Sequence, residues 1–80
     1  MRSGAWILTL AWIEGATETA IVLAQHTREA DAREALLCHV GLRADREAWR
    51  PSGRNKFVRR TAHRVDIVSI RHTRGDIEAG

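Results

Sequence analysis

Cysteine occurs once in this chain, at Cys38. A single thiol cannot close an internal disulfide, so the sequence does not describe a stapled, secreted scaffold. Nor does it supply a zinc ribbon or knuckle, which needs several thiolates at fixed spacing. The expected location is the reducing cytoplasm. The histidines, His26, His39, His63 and His72, include no i, i+4 pair. Cys38 and His39 are adjacent, so on a helix they point about 100° apart. No metal is expected, and no cofactor. Long apolar runs are missing too. The longest, Ala5 to Ile13, falls far short of the ~20 residues that span a membrane. Arg2 followed by that run has the outline of a signal peptide, but Glu14 closes it and no small-x-small cleavage site follows. It reads as a strand, and no membrane partner is expected.

The usual devices of catalysis are equally sparse. Pro51-Ser52-Gly53-Arg54 has too few glycines for a phosphate loop and no helix after it. Asp66 alternates with Val65 and Ile67, so it is expected to point off the core face, without a second carboxylate for acid-base work. Cys38 falls mid-to-late in a predicted helix, where the dipole raises a thiol pKa rather than lowering it. It reads as a small packing residue at the edge of the buried stripe. Repeats and low-complexity segments are absent. Eighty residues make one domain, which buries only roughly 60% of its unfolded surface and leaves little room for a deep pocket. The chain is therefore expected not to be an enzyme.

What the sequence has is a polarised charge. The formal net charge is +3, but residues 1–42 carry three cations against five carboxylates, and residues 43–74 carry ten cations against three. Nine of those ten are arginine. Arginine's planar fork matches carboxylate or phosphate bidentately and is only weakly hydrated. Such asymmetry points to a basic surface facing an anionic partner. The expected partner-binding residues are Arg43, Arg46, Arg50, Arg54, Lys56, Arg59, Arg60 and Arg64. The competing reading is a merely solvated basic face.

The pattern also predicts elements. An apolar fraction of 44% and a charged fraction of 29% are values of a globular domain, so the chain should fold. Residues 6–13 read as an inner strand with Trp6, Leu8, Leu10 and Trp12 on one face. Gly15-Ala16-Thr17 is a turn, and residues 19–25 read as a second strand in a hairpin. Thr27 is the expected N-cap of a helix over 28–40, with Gly41 as its C-cap. Ala32, Leu36 and Val40 form the buried stripe, flanked by Ala35 and Leu37. Glu29 and Arg33 are spaced for an i, i+4 ion pair. Residues 45–49 suit one helical turn that Pro51 ends. Residues 56–62 and 65–71 read as two strands or one long, bent one. The tail, 75–80, should fray.

The expected fold is α+β: a two-layer sandwich of one helix on an antiparallel or mixed sheet of three or four strands, β-β-α-β with an optional last strand. So small a core leaves one face of strand 6–13 open, which marks a partner or homodimer site.

The passage Ile21-Val22-Leu23-Ala24-Gln25, then Glu29-Ala30-Asp31-Ala32-Arg33-Glu34-Ala35-Leu36-Leu37, then Val65-Asp66-Ile67-Val68-Ser69-Ile70-Arg71, is similar to many small β-β-α-β domains. In length, element order and polarised charge the chain resembles the small inhibitors encoded by phages and prophages, of which anti-CRISPR proteins are one group. That resemblance implies a non-catalytic inhibitor or adaptor that covers a surface of a host protein or nucleoprotein complex, acting as monomer or homodimer. Many such inhibitors are acidic mimics of DNA, whereas this chain is basic, so binding an acidic protein surface, or touching the nucleic acid itself, fits better than mimicry. The alternative is a small DNA- or RNA-binding protein that contacts phosphates through the same arginines, with Trp49 or Phe57 stacking on a base. No RNA-recognition, zinc-finger or helix-turn-helix pattern accompanies it.

Overall fold

The computed structural model describes residues 4–73. The tail expected to fray, and Arg74 in the basic segment, lie outside the described residues. Strands β1 (Trp6–Glu14) and β2 (Thr17–His26) form a hairpin, and helix α1 (Glu29–Gly41) follows. A single 3-10 turn (Arg46–Ala48) leads to the short strand β3 (Arg50–Pro51), and then to β4 (Lys56–Arg60) and β5 (Val65–His72). The five strands form one sheet in the order β2-β1-β5-β4-β3, and every pairing is antiparallel. The class is therefore α+β with one helix, but the sheet has five strands rather than three or four. The extra strand is two residues long and contains Pro51, too little pattern to show in a sequence. Residues 56–71 are two strands, turned around Thr61, whose N–H and hydroxyl bond the Arg64 carbonyl at 2.9 and 3.2 Å.

Local chemistry explains the elements. Glu14 pairs with Thr17 across a two-residue turn, and Gly15 sits at φ 61°. Positive φ at the first central position is what a II′-type hairpin turn requires, and glycine adopts it without a steric penalty. Thr17 thus belongs to β2, not to the turn. The helix starts one residue later than its expected cap. Arg28 is the N-cap, and no side chain caps the helix. It also runs through Gly41 and ends at Leu42 in a right-handed conformation. The Leu42 and Arg43 N–H groups close on the Cys38 and Val40 carbonyls. The chain leaves toward the 3-10 turn without needing a left-handed residue.

The helix lies on one face of the sheet. Ala32, Leu36 and Val40 are buried against Leu8, Val68, Ile70 and Trp49, with Trp6, Leu10, Ala24, Ala35 and Phe57 around them. Leu36 and Val68 are almost fully enclosed, and burying a side chain of this size stabilises by roughly 1.5–3 kcal/mol. Leu37 is half exposed, so the stripe is narrower on that flank than expected. Cys38, expected at the stripe edge, is exposed. The expected Glu29–Arg33 pair does not form. Glu29 instead lies 3.9 Å from Arg54, and the Arg33 Nε is enclosed without a partner.

The register sorts the remaining residues. Directly opposed residues in antiparallel pairs share a face. The covered face holds Trp12 and Asp66 beyond the helix's own contacts. The other face presents cross-strand rows. The first runs Glu18, Ile13, Val65, Arg60, and the second Ala20, Ala11, Ile67, Val58, Arg50. The third runs Val22, Thr9, Ser69, Lys56. No helix or second sheet covers these rows among the described residues.

Candidate binding surface

The basic segment divides into two groups with different jobs. The first is internal. Asp66 is 3% exposed and lies on the covered face, contrary to the sequence expectation. Both parities of β5 are apolar, so alternation alone did not decide which face turned inward; the pairing of Ile70 with Leu8 and of Val68 with Leu10 does. Arg59 stands opposite Asp66 across β4–β5 and donates through Nε and Nη2 to Oδ2 at 3.1 and 2.6 Å. Arg64 lies two residues away on the same side and donates through Nε and Nη2 to Oδ1 at 2.9 and 2.6 Å. Arg59 Nη1 also donates to Asp45, whose other oxygen accepts from Arg43 Nε at 2.8 Å. Two carboxylates and three guanidiniums thus form one chain of charge-assisted bonds.

Two tryptophans flank this chain. The Arg43 and Arg59 guanidiniums sit over the Trp49 ring at 4.9 and 5.6 Å, and Arg64 sits over Trp12 at 5.4 Å. Stacking of this kind adds cation-π attraction to the ion pairs. The charges follow. Burial pushes the Asp66 carboxyl upward, but hydrogen bonds from Arg64 and Arg59 outweigh it and hold the group below its ordinary range. Hydrogen bonding from Arg43 is the largest influence on Asp45 and, with the nearby positive charges, brings its carboxyl down to about 2. The hydrogen bond to Asp66 raises Arg59 further. Carboxylates held this way carry no proton near neutral pH. Their chemistry is that of anchors for the 3-10 turn and β4, not of general acids.

The second group carries no such partner. Arg46, Arg50, Lys56 and Arg60 are exposed, and no carboxylate lies within ion-pair distance of them among the described residues. Arg54 is 70% exposed and has only the long contact to Glu29. Arg50, Lys56 and Arg60 share the open face around Val58, through the β3–β4 register. A shallow cavity of about 410 Å³ lies there, lined by Ala48, Arg50, Pro51, Ser52, Val58 and Arg60. Arg54 lies on the helix side instead, beside Glu29, Ala30, Arg33, Glu34 and Leu37, and Arg46 is exposed on the 3-10 turn. Of the eight expected residues, the structure therefore brings Arg50, Lys56 and Arg60 together on one face and leaves Arg46 and Arg54 exposed apart from them. Arg43, Arg59 and Arg64 are drawn into the internal network.

The aromatic residues fall on the wrong side for base stacking. Trp49 is 4% exposed within the core, and Phe57 packs against it. Trp6 meets His72 edge-on at 5.1 Å on the covered side. Sequence reasoning missed Asp45, Asp66 and Trp12 as parts of the network. One signal was present: Arg64-Val65-Asp66 on a strand places both charges on one side. His39, half-buried on α1, has its pKa lowered by burial and then by the charge of Arg43. Among the described residues no three His, Cys, Asp or Glu side chains gather at a metal-binding spacing, and no helix is long and apolar enough to cross a membrane. Comparison with protein families, curated proteins and solved structures finds no match to this chain.

Proposed function

We propose that this protein is a non-catalytic binding protein, an inhibitor or adaptor, that docks on an acidic protein surface or nucleoprotein complex through the β3–β4 margin. One observation carries the reading. Arg50, Lys56 and Arg60 share this margin with no carboxylate in ion-pair distance among the described residues, Arg46 is exposed on the preceding turn, and Arg54 in the β3–β4 loop has one long contact, to Glu29. Uncompensated, weakly hydrated guanidiniums form bidentate bonds to a carboxylate-bearing partner at little desolvation cost. The neighbouring Pro51, exposed on β3, supplies apolar contact of the kind that a protein interface uses and a phosphate backbone does not. An exposed arginine margin that met only water would be the bland alternative, and a binding experiment separates the two.

A second reading, contact with nucleic-acid phosphates, keeps one specific support: arginine forks on one margin match phosphate as well as carboxylate. The deciding experiment is an anisotropy titration of random-sequence duplex and single-stranded DNA and RNA at low and near-physiological salt. The protein-docking reading predicts no micromolar binding at near-physiological salt. Micromolar affinity that falls steeply with salt, as counterion release dictates, replaces it with the second reading.

A further inference from the structure

We propose that the open sheet face is the contact between two copies of this chain, packed face to face about a two-fold axis that runs along the strands between β1 and β5. The occupant follows from the rows read off the register. In the first, Glu18 stands at the β2 end and Arg60 at the β4 end, with Ile13 and Val65 between them. A two-fold along the strands keeps each row at its own height and exchanges its ends. Glu18 of one copy then faces Arg60 of the other, twice per dimer, and Ile13 faces Val65. The second row obeys the same operation. Ala11 faces Ile67, small against large, as interdigitating inner faces require, while Ala20 meets the surface over Val58, which the fold itself already buries. The third places Thr9 against Ser69 and Val22 against Lys56, whose stem covers apolar surface while its ammonium reaches water. Val22 is 56% exposed and loses that exposure here.

Self-complementarity of this kind is what an isologous contact demands. The size is that of a weak contact: β1 and β5 overlap over eight residues and β2 meets β4 over only its five, which at ~4.8 Å between strands and ~3.3 Å per residue gives roughly 400 Å² per copy, in the range of transient complexes. Long rim side chains absorb the roughly 30° rotation between aligned sheets. The contact overlaps the docking margin at Lys56 and Arg60, whereas Arg50 extends one strand beyond the paired rows and Arg46 and Arg54 lie off this face, so a dimer leaves these three arginines of each copy to the acidic partner.

The test is sedimentation equilibrium of the full chain, of Glu18→Arg, of Arg60→Glu and of the double variant, each checked for its fold by far-UV circular dichroism. Glu18 is exposed and forms no ion pair among the described residues, so its reversal leaves the monomer intact and does not touch the docking cations. The expected result is a wild-type dimer, a dissociation constant raised about tenfold or more in each single variant by like-charge opposition, and recovery in the double variant. A wild type that stays monomeric at ~200 µM, well above the micromolar range of weak specific complexes, overturns the proposal. So does a dimer indifferent to both reversals, or one that the double variant fails to restore.

Discussion

Replacing Asp66 by asparagine removes the charge at the centre of the internal network while keeping its shape. Asp66 accepts four N–H bonds from Arg59 and Arg64, and its side chain is 4% exposed. Breaking one partner out of a buried ion pair costs about 3–5 kcal/mol, because the remaining charge is left uncompensated. Here the figure is smaller. The Arg59 and Arg64 side chains are 25% and 37% exposed, Arg59 keeps Asp45, and an asparagine oxygen still accepts one bond. The expected loss is about 2–3 kcal/mol after that solvent screening. A domain of this length has a total of roughly 4–12 kcal/mol, so the loss shows as a fall in Tm of roughly 8–20 °C. Urea unfolding followed by tryptophan fluorescence reads it directly, since Trp49 stacks on Arg43 and Arg59. An Asp66→Asn protein within about 0.5 kcal/mol of wild type, the range of an ordinary surface substitution, refutes the assignment of Asp66 as a buried anchor.

Three further outcomes follow from the same structure. Both carboxyls are depressed in the folded state, Asp45 to about 2, so the unfolded chain binds more protons between roughly pH 4 and 2. Their contribution is complete above the unfolded value and is lost as pH falls through the folded one; acid unfolding curves should flatten in that window in the Asp45→Asn/Asp66→Asn variant. Leu36→Ala, at a site 1% exposed, should cost about 2–5 kcal/mol in urea unfolding. Arg50→Glu and Lys56→Glu should each lie within about 0.5 kcal/mol of wild type, whereas Arg59→Glu, which opposes Asp66 and Asp45, should destabilise severely by the same assay.

Much of the fold is legible where a residue's chemistry is local. The alternation of Trp6 to Ile13, the Gly15 turn and the Ala32-Leu36-Val40 stripe each depend on neighbours a few residues away, and each reads from the chain. The helix caps do not, because the exits at Arg28 and Leu42 are set by where the hairpin and the 3-10 turn deliver the chain. Strand β3 exists only because β4 lies beside it, through Val58 and Phe57. The basic site is legible as a composition but not as a surface. Arg59 and Arg60 are adjacent and chemically identical, yet strand alternation sends one to Asp66 on the covered face and the other to the open face. Only the register distinguishes them, and the register is a long-range property of the sheet.

The docking claim is tested most directly by affinity capture from nuclease-treated lysate of the source cells, run in parallel with wild type and with the Arg50→Glu/Arg54→Glu/Lys56→Glu variant. The variant leaves the internal network untouched, so its fold is retained. The account predicts an acidic protein held by wild type and released by the variant, with direct binding of the purified pair weakened about a hundredfold or more, as reversal of several interfacial charges implies. A partner held equally by both, or none held by the wild type, contradicts it.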